Sequence, residues 1–124
     1  MVEVLNNVPQ EIAAFRVFGE VTKDDYSNVV LPHTEQKLEQ TGVINFLLVV
    51  DTDLSNFTFG AWLQDALLGL KHLSKWRRAA ILTDNEGAIT FTDGFSKVAP
   101  GEFKGFRKNE LQAAVAWITT PDTD

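Results

Sequence analysis

Hydrophobic and polar positions along the chain follow two rhythms, and the switches between them mark the elements. In AAFRVFGE (13–20), Phe15 and Val17 alternate with Arg16 and Phe18, the period of a strand. A shorter segment, VEVL (2–5), precedes it across a turn at Asn6, Asn7 and Pro9, and so short a spacing favours antiparallel pairing. VINFLLVVD (43–51) is a continuous apolar run with β-branched residues, as expected for a central strand covered on both faces. RRAAILTD (77–84) reads as another buried strand and EFKGF (102–106) as a short last one.

Helical rhythm fills the intervals. Thr22 and Asp25 resemble a capping box at the start of a helix that runs to about Gln40 and stops at Gly42, with a kink or break at Pro32. A second helix is predicted over 57–75. The segment 85–100 is ambiguous: Phe91, Phe95 and Val98 have helical spacing, but Gly87, Gly94 and the threonines weaken it. The final helix, NELQAAVAWITT, places Leu111, Ala114, Val115 and Ile118 on one face, with Asn109 as expected N-cap.

The order β-β-α-β-α-β-α-β-α predicts an α/β fold. It is a single-layer, mostly parallel sheet of about five strands, with an antiparallel amino-terminal edge strand and about four helices packed on its faces. A chain of 124 residues suits one domain, here 1–120, with 121–124 as a loose tail. The 57–75 helix has more apolar residues than one face needs. Phe59, Trp62, Leu63, Ala66, Leu70 and Leu73 fall within about 60° of one another's mean direction on a helical wheel and form the core stripe. Phe57, Ala61 and Leu68 form a second stripe on the opposite side. This outer stripe is either scattered surface hydrophobicity or a docking face for a second subunit, another protein or a lipid surface.

The helix ends in KHLSKWRR, where Lys71, Lys75, Arg77 and Arg78 surround Trp76. Cations there complement a helix dipole; alternatively, Lys71, Lys75, Trp76 and Arg77 form an interfacial patch for anionic headgroups.

Composition narrows the function classes. A net charge of −6 disfavours general nucleic-acid binding, and the absence of cysteine removes disulfides, thiolate metal sites and a thiol nucleophile. No signal peptide or membrane-spanning run is recognisable, so the expected location is cytoplasmic, with a peripheral membrane position as an option. Asp51 and Asp84 end two central strands, where open α/β sheets collect ligands, and are candidate Mg²⁺ ligands with Asp53 and Glu20 nearby. Asp51 also suggests a phosphoaccepting receiver, but Glu20 and Lys104 or Lys108 are poor substitutes for the acidic pair and lysine that such a domain needs. Asp at a strand end is more often a turn residue. His33 and His72 lack an evident nucleophile partner, and no phosphate or dinucleotide loop is found, so no cofactor is expected. An apolar pocket between 85–100, acting as a lid, and the 57–75 helix would be lined by Phe57, Phe59, Trp62, Leu63, Phe91 and Phe95.

AAFRVFGEVTKDDY, LLVVDTD, GLKHLSKWRRAAILTD and PGEFKGFRKNELQAAVAWI, in this order, resemble the SpoIIAA-like family. Those proteins share the fold of the STAS (anti-sigma-factor-antagonist) domain and a likeness to Sec14 or CRAL-TRIO lipid-binding domains. The resemblance covers nearly the whole chain and implies a small α/β domain, often a homodimer. Membrane association and an apolar or lipid-like ligand have been suggested for such domains, and no enzymatic activity is established. In STAS regulators a phosphoacceptor serine opens the helix after the third strand; in NFTFGAW that position falls near Phe59 and Gly60, which cannot carry phosphate. Ser55 and Thr58 are the neighbouring hydroxyls and the weak candidates for phosphorylation, though both residue types also serve as turn and cap residues. The expected function is therefore a non-catalytic binding or regulatory module. The alternatives are a small metal-dependent hydrolase or phosphoryl enzyme using the strand-end carboxylates, and a phosphorylation-controlled switch.

Overall fold

Five strands lie side by side in chain order in the computed structural model, which describes residues 1–52, 73–97 and 101–121. β1 (Val2–Val4) pairs antiparallel with β2 (Ile12–Phe18). β2, β3 (Ile44–Asp51), β4 (Trp76–Leu82) and β5 (Glu102–Phe106) are all parallel. The mixed sheet with its antiparallel amino-terminal edge is the one the hydrophobic pattern predicts.

Right-handed crossovers between strands taken in sequence put their helices on one face of the sheet. The described helices that precede β3 and β5 share one face, as this rule expects. Val30, ahead of α2 (Leu31–Thr41), and Ala88 of α3 (Glu86–Phe95) join Phe15, Phe46, Leu48 and Ile81 in one core. An aromatic row crosses that face, Phe15 to Phe46 to Trp76 to Phe103 to Phe95, with ring centroids 5.2–5.6 Å apart. The opposite face holds a second core, Ile12, Ala14, Leu47, Ala80 and Leu82, under Ala114 and Ile118 of α4 (Leu111–Thr119). No described helix is long and apolar enough to cross a membrane.

Local signals set several ends. The Thr22 N–H donates to Asp25 Oδ2 at 3.0 Å and the Asp25 N–H to Thr22 Oγ1 at 3.2 Å, a reciprocal cap for α1 (Lys23–Asp25). Bonding to that backbone N–H, then the nearby amino terminus, holds the Asp25 carboxyl below the usual range. Gly42 closes α2 in the left-handed region at φ 80°, its N–H donating to Leu38 O. The expected break at Pro32 takes the form of a π-helical segment, Tyr26–Val30, in which the Leu31 N–H reaches back to Tyr26 O. Proline has no N–H to continue the ordinary ladder, and the wider turn sits immediately before it.

The ambiguity over 85–100 resolves into a regular helix, α3, as the element order has it; its N-cap is Asn85, with Oδ1 accepting from the Ala88 N–H at 2.9 Å, and Val98 lies outside the described residues. One expectation is corrected. Asn109 is not the cap of the last helix. A 3-10 turn, Lys108–Glu110, precedes α4, and the Glu110 carboxylate accepts from the Arg107 N–H at 2.7 Å, setting the start of the turn one residue before Lys108.

Candidate functional site

Parallel strands deliver their carboxyl ends to one rim, and in this protein the rim is charged. Asp51, the last residue of β3, is engaged from both sides. Arg16 on neighbouring β2 donates Nε and Nη2 to Asp51 Oδ2 at 2.9 and 2.6 Å, and Lys108, just after β5, donates Nζ to Oδ1 at 3.0 Å. Lys108 also lies 3.7 Å from Asp84 Oδ2, while Arg16 reaches Glu3 on β1 at 3.1 Å. An alternating chain, Glu3–Arg16–Asp51–Lys108–Asp84, thus spans the sheet. Beyond it, Arg107 donates to the Asp84 carbonyl at 3.0 Å and to Glu86 Oε1 at 2.8 Å.

The hydrogen bond from Lys108, then that from Arg16, holds the Asp51 carboxyl below its ordinary value. Reciprocally, Asp51 raises both Lys108 and Arg16. With an ammonium bridging Asp51 and Asp84, the space between these carboxylates already holds a cation. Asp51 and Asp84, the candidate metal ligands, each pair with Lys108, and no group of three or more metal-ligating side chains occurs among the described residues. Glu20 meets the amino-terminal nitrogen through its carbonyl, and Asp53 is outside the described residues. Lys108 reads from sequence as a poor lysine to stand opposite Asp51, yet the fold brings them together across 57 positions. The signal was the basic pair Arg107–Lys108 directly after the last strand.

The basic segment that ends the predicted helix has structural contacts at three of its positions, Trp76, Arg77 and Arg78. Trp76 is buried, stacked on Phe103 and tilted against Phe46, and is not a surface residue. A bulge causes this: Ile44 pairs with Trp76 but Asn45 with Arg78, so the side-chain alternation slips and Trp76 shares the face of Ala79. Arg77 turns to the end of α4, donating to Ile118 O and Thr120 O at 2.5 Å each and to Asn45 Oδ1 at 3.1 Å. Arg78 donates to the Trp117 and Thr120 carbonyls and pairs with Glu102 at 2.8 Å. These arginines do complement a helix dipole, but that of α4, distant in sequence. Lys75 is exposed. Ala61, Leu68 and Lys71 lie outside the described residues, as do Ser55, Thr58, His72 and the pocket candidates Phe57, Phe59, Trp62 and Leu63.

Of the lid residues, Phe91 is 41% exposed and stacks on Phe95 at 5.9 Å, while Phe95 packs edge-on against Phe103. α3 is tightly fastened. A Cβ at Gly105 would come within 2.8 Å of Ile89 Cα. Asp93 and Ser96 accept from the N–H groups of Gly105 and Phe103, at 2.8 and 2.9 Å. Those two donors lie on the strand that ends the sheet order, so α3 also occupies groups that another strand would use.

A five-stranded mixed α/β sheet with the described crossover helices on one face and a closing helix on the other defines an STAS-like architecture. The SpoIIAA-like family model matches residues 12–119, and the chain belongs to that family. Among solved structures, it is similar to the crystal structure of an uncharacterised protein of the DUF3478 family, with a SpoIIAA-like fold, from Shewanella loihica PV-4. The two are 29% identical with a TM-score of 0.64, over 94% of this chain and 93% of that one. No curated protein matches the sequence.

Proposed function

We propose that the protein is a non-catalytic binding module that acts by contacting another macromolecule, in the first instance a second copy of itself, and does not turn over a substrate. The observation that carries this reading is the occupied carboxyl rim. Both oxygens of Asp51 are taken by cations from flanking elements, and Lys108 stands between the two carboxylates that an enzyme of this shape would use. An ion pair of this kind makes the carboxylate a weaker base and places an ammonium where a metal ion shared by Asp51 and Asp84 would sit. Membership of the SpoIIAA-like family is consistent with a regulatory role, and the resemblance implies a dimer. The described surface best suited to a contact is α3, where the exposed Phe91 ring extends the aromatic row outward; aromatic anchors dominate protein interfaces. An apolar ligand or a membrane surface is the alternative partner for such a module, to which Phe91 and Lys75 would contribute.

Native mass spectrometry and sedimentation of the wild type and of Phe91→Asp test it. The expected result is a dimer that Phe91→Asp shifts toward monomer with the fold intact by circular dichroism, while Asp51→Asn leaves association unchanged. A wild type that is monomeric at every concentration and bound to no vesicle overturns the reading.

A further inference from the structure

The opposite, amino-terminal end of the sheet has a different electrostatic character. Between the β1–β2 connection and α2 lies a cavity of about 390 Å³, within the size range of small-molecule sites. Val8 and Ile12 give it an apolar wall, Gln10 and Gln40 present carboxamides, and His33 and Lys37 enter from α2. No carboxylate lines it among the described residues, in a chain whose acidic residues outnumber lysine and arginine by six. Lys37 is half-buried and has no ion-pair partner among the described residues. By contrast, Arg16, Arg78, Arg107 and Lys108 all have carboxylate partners, and Arg77 is used on carbonyls. His33 packs edge-on to Phe15 at 5.4 Å; burial first, and the Lys37 charge second, keep its imidazole toward the neutral form.

We propose that this cavity binds a small organic carboxylate. Lys37 serves as counter-ion, His33 and the carboxamides of Gln10 and Gln40 serve as hydrogen-bond donors, and Val8 and Ile12 receive the hydrocarbon end. A half-buried ammonium gains most from an anion where no protein carboxylate competes, and lysine supplies a point charge suited to a single carboxylate. The site is separate from the macromolecular contact proposed above and does not depend on it.

The test is titration of the ¹⁵N-labelled full chain with butyrate, with uncharged butyramide and with inorganic phosphate, followed by NMR. Butyrate is expected to shift the His33, Lys37 and Gln10 signals to saturation, with butyramide having no such effect. Lys37→Gln, with the rest of the spectrum unchanged, is expected to weaken butyrate binding about tenfold. Absence of saturation, an equal response to butyramide, or undiminished binding by Lys37→Gln overturns the proposal. Phosphate binding as strong as butyrate binding overturns the choice of an organic carboxylate.

Discussion

The two ends of the sheet handle charge in opposite ways. At the carboxyl rim, five side chains of alternating sign, from Glu3 through Arg16, Asp51 and Lys108 to Asp84, neutralise one another. At the amino end, Lys37 and His33 face a cavity with no acidic wall among the described residues. The conventional ligand end of an α/β sheet is therefore saturated by internal partners, while the less conventional end retains unmet capacity for an anion. Position in a fold raises a prior; whether a charge already has a partner decides what it can do.

Arg77 and Lys75 belong to one basic run, and the largest expected effect separates them. Arg77→Ala removes two hydrogen bonds that hold the end of α4, which covers the second core, and a third to Asn45 on β3. Charge-assisted bonds at a half-buried site predict a loss of about 1.5–3 kcal/mol. Lys75→Ala, at an exposed position without such bonds among the described residues, is expected within about 0.5 kcal/mol of wild type. Urea unfolding of both variants, with amide exchange at 117–120, checks this. Equal small losses would return Arg77 to the surface-patch reading.

Most of the architecture was legible in the sequence because its signals are local. The Thr22–Asp25 spacing, Gly42 after α2 and the limits of β5 at 102 and 106 each depend on neighbouring residues, and the structure has them where the pattern puts them. What escaped is non-local. A bulge that slips the register between β3 and β4 is invisible in KHLSKWRR, so Trp76 reads as part of a basic surface when it is the middle of an aromatic row. The Asp51–Lys108 pair depends on β3 and the segment after β5 ending at one rim, and no periodicity encodes that. Asn109 was preferred as a cap on residue type, but the Glu110 carboxylate reaching back to the Arg107 N–H fixes the turn earlier.

Asp51→Asn perturbs the saturated end with a smaller effect. The carboxylate is partly exposed, so solvent screening limits the loss to about 1 kcal/mol or less at neutral pH, shrinking in high salt. Its sign with pH follows from the lowered value. Because the folded state holds the Asp51 proton less readily than the unfolded chain, this stabilisation is present above the ordinary aspartate value of 3.8 and disappears as pH falls through the lower folded value. Unfolding curves of wild type and Asp51→Asn should thus be separated near pH 7 and converge in acid below about pH 4. A gap that persists in acid would mean that the asparagine damages packing, and the rim would then be a steric feature more than an electrostatic one.

His33 gives the finest probe of the unsaturated end. Its folded value lies below the ordinary 6.5, with burial as the larger cause and Lys37 as the smaller. The unfolded chain therefore takes up the proton first: the stability contributed by neutral His33 is present above pH 6.5 and is lost as pH falls through the folded value. Lys37→Gln removes only the smaller cause, so the His33 ring-proton titration should move upward yet stay below 6.5. The chain has two histidines, and His72→Gln assigns the signals. The groups facing the imidazole are the Phe15 ring from β2 and Lys37 from its own helix, with neutral Gln10 across the cavity. No carboxylate among the described residues there opposes this direction. An unchanged titration in Lys37→Gln would place the ammonium away from the ring and remove the charge that makes this end differ from the rim. A full return to 6.5 would instead give Lys37 the whole effect and leave burial against Phe15 with none.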